Sequence, residues 1–330
     1  MADDVGQPEF SAEDIRKATL AAHNPAQLAK ELAADGQRLG SLCSGYMGLD
    51  LAVQAILDVE HAWVSDIDRH ACAVLEARAP GVPNLGDMTT IDWREVEPVD
   101  VLTAGYPCQP FSHAGRRQGV SDVRNLWPFV ADAVRVLRPA VVILENVAGH
   151  LSLGFDVVLR DLAELGFDAE WQVLRASDVG ACHRRARVFI VATDTEGERC
   201  RLGRRPGTVE GEQVAGWPAL EPGGRGDALP AEQGGRAIAG GADTTWGAYA
   251  GAIERHEWVL GRRAPGPVDD RGRLSPLFVE WMQMLPEGWV TEPVPVRSGA
   301  LKLLGNGVIP LQAEVAVRHL IDRAERPVAA

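Results

Sequence analysis

Between residues 38 and 193, short apolar runs alternate with longer segments of helical period, and no other feature of this chain limits its fold so strongly. "RLGSLCS", "HAWVSDID", "VDVLTAGY", "AVVILENV", "EWQVLRAS" and "RVFIVAT" have the length and β-branched content of strands. "LDLAVQAILD", "RHACAVLEARA", "LWPFVADAVRVLR" and "FDVVLRDLAELG" have apolar residues three and four apart and read as helices between them. Parallel strands need long crossovers, and helical crossovers cover both faces of the sheet they connect. The expected fold is α/β: a mostly parallel sheet with helices on both sides.

The flanks read differently. Residues 1–37 are expected to form a helical extension, with Asn24-Pro25 as cap and first turn, "AQLAKELAAD" as its body and Gly36 as its end. Residues 195–273 hold 17 of the 35 glycines and show no sustained period, so this segment stands outside the sheet, as a disordered insert or a small irregular domain. "TTWGAYAGAIERHEWVLGRR", with its aromatics and one short helical pattern, favours partial order. Regularity returns at 274: "SPLFVEWMQMLP" reads as a helix, and "PLQAEVAVRHLIDRA" as an amphipathic helix packing back on the sheet.

Composition excludes several classes. No apolar run approaches the roughly 18 residues of a membrane span, and "MADDVGQPEF" lacks the basic and apolar regions of a secretory signal, so a cytoplasmic protein is expected. Five cysteines without C-x-x-C spacing predict free thiols, and no histidine pairs with cysteine or carboxylate at metal-ligand spacing, so no metal is expected. The net charge of −13 argues mildly against nucleic acid, yet bulk charge hides distribution. Among 33 basic residues only Lys17, Lys30 and Lys302 are lysines, a bias that suits phosphate and guanine contacts and equally suits a GC-rich genome.

Two places carry chemistry. "CSGYMGLDLAVQ" is a glycine turn opening a helix, with Ser44, Gly45, Gly48 and Leu49 as candidate cofactor contacts and Asp66 placed 21 residues after Gly45 to meet ribose hydroxyls. Gly45-x-x-Gly48 lacks the full dinucleotide fingerprint, which tilts the ligand toward an adenosine without phosphates. Asp87, at the end of a possible third strand in "NLGDMTTID", is a candidate acceptor for an adenine amino group. In "AGYPCQPFSHAG", Pro107 and Pro110 stiffen a loop around Cys108 at the mouth of the sheet, where a thiolate is placed for attack, while Cys43, Cys72 and Cys182 read as packing residues. One strand later "VVILENVAGH" ends a buried run in Glu145 beside Asn146, a carboxylate whose pKa burial would raise until it donates a proton near neutrality.

"GYPCQPFS", "ENV", "HRRARVFIVA", "RLSP" and "GNGVIP", in that order, resemble the DNA (cytosine-5)-methyltransferases over residues 38 to 325, the glycine-rich segment aside. The resemblance implies a Rossmann-like S-adenosylmethionine-dependent sheet over 38–194, a target-recognition domain over 195–273 and a segment over 274–330 returning to the catalytic domain. It implies Cys108 as nucleophile and Glu145 as acid, with Asn146 beside it in the same motif. Arg185 and Arg187 match the arginines that bind near the flipped base and order the catalytic loop. Asp66, Ile67, Asp87, Met88 and Leu126 match S-adenosylmethionine contacts, with Pro107 beside them, and Asn306 and Val308 match the motif closing that pocket. The chain departs from the family in having Leu42-Cys43-Ser44 where an aromatic usually precedes Gly45, His183 where glutamine is commoner and Ala186 where an acid is commoner.

The implied partner is double-stranded DNA, bound by a monomer and methylated as in restriction-modification systems. A stacked cytosine is unreachable, so the base must be flipped out. Gln109, Ser112, Arg116 and Arg117 are expected to continue the nucleophile loop over the DNA, the two arginines near phosphates. Arg204, Arg205, Arg262 and Arg263 are candidates for reading guanine in the major groove. Three alternatives stay open: a tRNA cytosine-5 methyltransferase, a catalytically silent DNA-binding module, and a nicotinamide oxidoreductase suggested by the glycine turn and Asp66 alone.

Overall fold

The computed structural model describes residues 37–107, 126–195 and 246–324. Six strands, β1 (Gln37–Leu42), β2 (Val59–Ser65), β3 (Val101–Ala104), β4 (Val141–Val147), β5 (Phe167–Arg175) and β6 (Ala186–Asp194), form one sheet in the order β2-β1-β3-β4-β6-β5. Strands β1 to β4 pair in parallel, and β6 runs antiparallel to both its neighbours. All six strands expected from the sequence are present.

Helices α1 (Gly48–Ile56), α2 (Arg69–Arg78), α3 (Trp127–Leu137) and α4 (Phe155–Glu164) lie between strands, and α5 (Ala250–Leu260), α6 (Pro276–Met282), α7 (Arg297–Asn306) and α8 (Pro310–Ala324) follow them. The period of two along the central strands divides the core. Leu102, Val142, Leu144, Val188 and Ile190 join the layer containing Trp127, Val134 and Phe155 of α3 and α4. Val101, Val141, Ile143, Phe189 and Val191 join the layer containing Val53, Val317, Leu320 and Ile321 of α1 and α8. Both faces are therefore covered, which is why Val141–Leu144 of β4 and Val188–Ala192 of β6 are apolar runs that do not alternate with polar residues.

Three boundaries differ from expectation. Gln37 is the first residue of β1, and the proposed extension before it lies outside the described residues. "NLGDMTTID" forms no third strand: only a single bridge joins Val64 to Asn84, after which Gly86 turns the chain at φ +74°. Asn84 causes this, because its Oδ1 accepts from the amides of Asp66 and Gly86 and ends the ladder. Helix α7 is not expected from the sequence, since "RSGALKLLGN" carries two glycines and its N-cap residue, Val296, supplies no side-chain cap. Of the glycine-rich segment, 246–273 is described. There α5 buries Ile253, His256 and Val259, with Val259 against Ala176, Val179 and Ala181 and Ile253 against Phe278 and Trp281 of α6. Among the described residues no helix is long and apolar enough to cross a membrane, and no cluster of side chains could hold a metal ion.

Candidate active site

The carboxyl ends of β1, β2, β3 and β4 meet at one rim of the sheet, and the turn from β1 into α1 shapes it. Cys43, Gly45 and Met47 all have positive φ, at 52°, 56° and 67°, which for two non-glycine residues is a costly conformation that the surroundings must enforce. The Gly45 amide donates to Asp66 Oδ2 at 2.9 Å and the Met47 amide to the Ser44 carbonyl at 2.7 Å. Tyr46 turns inward, 1% exposed, and its hydroxyl donates to the Val308 carbonyl at 2.8 Å. A Cβ on Gly48 would lie 2.0 Å from the Val308 carbonyl oxygen, and one on Gly307 would lie 1.9 Å from the Tyr46 ring. The turn and the "GNGVIP" segment thus approach as closely as glycine permits. Tyr46, which the sequence reading passed over, locks them together; its signal was an aromatic set between Gly45 and Gly48.

A cavity of about 1140 Å³ opens at this rim, and all twelve residues expected at the cofactor line it. Asp66 accepts the Gly45 amide on one oxygen and the Asp68 amide, at 2.8 Å, on the other, leaving lone pairs on both for a ligand hydroxyl. Burial raises its pKa against the lowering effect of those amides. Ile67 is 71% exposed, an aliphatic face at the cavity rim. The exposed carboxylate of Asp87 is held below its ordinary pKa by the Thr89 amide and hydroxyl, both donating to Oδ1. Met88 is buried beside Cys43, whose thiol lies in the cavity wall and is pushed up to about 12, first by burial and then by Asp66.

Glu145, 6% exposed at the end of β4, lines the same cavity and pairs with Arg187 Nε at 2.8 Å. The pairing follows from the sheet: β4 and β6 run antiparallel, so the end of one meets the start of the other. Burial raises the Glu145 pKa, opposed by the charges of Arg187 and then Arg185. Asn146 and Arg185, grouped with the catalytic residues on sequence, face elsewhere. Residues alternate sides along a strand, so Asn146 points away from Glu145, donating to the Tyr106 carbonyl at 3.3 Å and accepting from the Val147 amide. Arg185 donates to the carbonyls of Gly305 and Gly307.

The strand end that leads to Cys108 is braced from a second side. The Tyr106 hydroxyl donates to His150 Nε2 at 2.8 Å, while His150 Nδ1 donates to the Leu153 carbonyl at 3.0 Å. Pro107 lines the cavity; Cys108, Gln109, Ser112, Arg116 and Arg117 lie outside the described residues, as do Arg204 and Arg205. Arg262 donates to the Leu285 carbonyl and Arg263 pairs with Glu257 at 3.0 Å, so both candidate base readers are engaged within the protein. His256 accepts the Cys182 amide on Nδ1 and donates from Nε2 to the Trp281 carbonyl, each at 3.0 Å. His183 donates to the Met282 carbonyl, also at 3.0 Å, so the segment before β6 is tied to α5 and α6.

Residues 37–209, more than half of the chain, match the family model for C-5 cytosine-specific DNA methylase. The type II methyltransferase M.NlaX of Neisseria lactamica is 35% identical over 158 residues, covering 46% of this chain and 50% of that protein. The type II methyltransferase M.BsuFI of Bacillus subtilis is 37% identical over 134 residues, covering 38% of this chain and 32% of that protein. The chain thus spans half or less of the length of these two curated relatives. Among solved structures, the Entamoeba histolytica methyltransferase EhMeth superposes with a TM-score of 0.56 at 13% identity, covering 88% of this chain and all of that one. The S. pombe Dnmt2 methyltransferase does so with 0.55 at 15% identity, covering 87% and 99%. These two show a shared fold.

Proposed function

The chain belongs to the C-5 cytosine-specific DNA methylases, and from that premise we propose that it transfers a methyl group from S-adenosylmethionine to C5 of a cytosine in duplex DNA. The observation that carries the reading is one cavity shared by a buried, arginine-paired carboxylate, Glu145, and a wall of aspartates, glycines and one exposed isoleucine.

The residues present fit the cofactor. Asp66 keeps lone pairs for ribose hydroxyls, Ile67 offers an aliphatic face to a purine, and Gly48 and Gly105 keep the wall free of side chains. Asp50, Asp66, Asp68, Asp87 and Glu145 give the lining a predominance of acids over Arg69, Arg187 and Lys302, which suits a sulfonium cation and opposes the diphosphate of a dinucleotide. Asp66, Ile67, Asp87, Met88, Leu126, Asn306 and Val308 would hold the cofactor, which supplies an electrophilic methyl group.

Cytosine C5 is a weak nucleophile, and the chain's own groups must activate it. Cys108, one residue beyond the cavity-lining Pro107, adds as thiolate to C6 of the flipped base. Glu145 hydrogen-bonds N3 and delivers a proton there, and burial, which raises its pKa, favours the protonated form needed for that. Electron density then moves to C5, which takes the methyl group; a base removes the C5 proton, the thiolate departs from C6 and N3 returns its proton to Glu145, which restores the neutral ring. Arg187 fixes the carboxyl in place through the Nε contact.

Labelled methyl transfer to duplex DNA and to tRNA, followed by bisulfite sequencing, tests this. Transfer to DNA is expected, with a Cys108→Ser variant reduced about 10³-fold or more. An oligonucleotide carrying 5-fluorocytosine should become covalently trapped at Cys108. Methylation by Cys108→Ser at the parent rate would refute the mechanism, and transfer confined to tRNA would refute the substrate.

A further inference from the structure

Arg185 shares its motif with Arg187, yet the two guanidiniums do different work. Arg187 reaches into the cavity to Glu145, whereas Arg185 forks onto two backbone carbonyls, Gly305 at 3.0 Å and Gly307 at 2.6 Å, on either side of Asn306. Helix α7 ends at Asn306, where carbonyls lose their intrahelical partners and a cation is favoured. The last turn of α7 carries no basic residue of its own, so Arg185 supplies the charge from a distant part of the chain. The opposite side of the same turn rests on Tyr46, whose ring occupies the space a Gly307 side chain would need. Residues 305 to 308 all line the cavity; of the three arginines in "HRRARVFIVA", Arg187 alone does so.

We propose that Arg185 is a positioning residue for the cofactor: by clamping both flanks of Asn306 it holds the turn that closes the cavity, and it does not bind the target base. This rests on the reading of the cavity as an S-adenosyl site. Arg185 and Arg187 flank Ala186, the first residue of β6, and reach respectively the glycine turn and Glu145, while His183 before them donates to the Met282 carbonyl. Lysine could not replace Arg185, because one ammonium cannot span two carbonyls in a fixed fork.

Binding of S-adenosylhomocysteine and of duplex DNA, each followed by calorimetry on the full chain, tests the assignment. Arg185→Lys should raise the Kd for S-adenosylhomocysteine about tenfold or more, as expected for losing a charge-assisted bond, with the DNA Kd unchanged. Arg187→Lys should show the converse, a lowered kcat at unchanged affinity for S-adenosylhomocysteine. Because Arg185 acts through the turn, the Arg185→Lys/Asn306→Ala double variant should bind no more weakly than the weaker single variant. A general loss of stability would add to the effect of Asn306→Ala, so the cycle separates positioning from misfolding. Unchanged S-adenosylhomocysteine affinity in Arg185→Lys, with weakened DNA binding or slower turnover, would overturn the proposal. If the parent protein fails to bind S-adenosylhomocysteine at all, the cofactor reading falls, and this assignment with it.

Discussion

Glu145 and His256 are both buried ionisable groups, and the protein accommodates them in opposite ways. Glu145 has an arginine at 2.8 Å and faces a cavity; His256 is fully buried, hydrogen-bonded to backbone groups and tilted at 35° to the Trp281 ring with centroids 3.9 Å apart. Desolvation lowers the His256 pKa from 6.5 to about 4, against the raising effect of the Trp281 carbonyl and with the help of His183, Arg262 and Arg255. The unfolded chain takes up this proton near pH 6.5 and the folded one only near pH 4, so stability is complete above pH 6.5 and declines as pH falls toward 4. The loss amounts to up to about 3 kcal/mol. His256→Gln keeps a donor and an acceptor but does not titrate; urea unfolding at pH 5 and pH 7.5 should show a smaller gap between the two than in the parent.

At the scale of elements, the contact between the β1–α1 turn and the α7–α8 turn governs whether a cavity exists. Gly48→Ala would force a Cβ to within 2.0 Å of the Val308 carbonyl, a backbone atom that cannot swing aside. Overpacking of this kind costs about 1–3 kcal/mol. We expect Gly48→Ala to lower the unfolding free energy by that amount, read as a lower urea midpoint, and to weaken S-adenosylhomocysteine binding together with it, since both turns line the site. Equal affinity in the variant would show that the two turns need not touch for the site to form. These elements were unequally legible. The turn was readable from "CSGYMG" and its spacing to Asp66, because a tight strand-to-helix connection depends on local sequence. Helix α7 was not, because its stability comes from Ala300, Leu303 and Leu304 packing against Tyr46, Ala71 and Val74, contacts that no window around 297–306 reveals.

For the molecule as a whole, the cavity wall draws residues from five segments, 41–50, 65–70, 86–89, 103–107 and 298–308, together with Leu126, Glu145, Val147 and Arg187. A ligand that binds such a wall stabilises every segment contributing to it. S-adenosylhomocysteine at about 100 times its Kd should therefore raise the unfolding free energy by about 2.7 kcal/mol, seen as one cooperative shift in thermal unfolding. A transition that split, with α7 and α8 melting apart from the sheet, would contradict the packing of α8 on α1, where Val317, Leu320 and Ile321 are at most 1% exposed.

By itself the sequence determined the succession of strands and helices along the sheet region and the burial of both sheet faces, since those follow from local periodicity, while the family resemblance named residues that line the cavity. Tertiary structure decided which way each side chain faces. Asn146 and Arg185 stand one and two places from residues that line the cavity, yet both turn to backbone carbonyls, and Tyr46 gains its importance from residues more than 250 positions away. Periodicity assigns a residue to a face; only the packed neighbour on that face assigns it a partner.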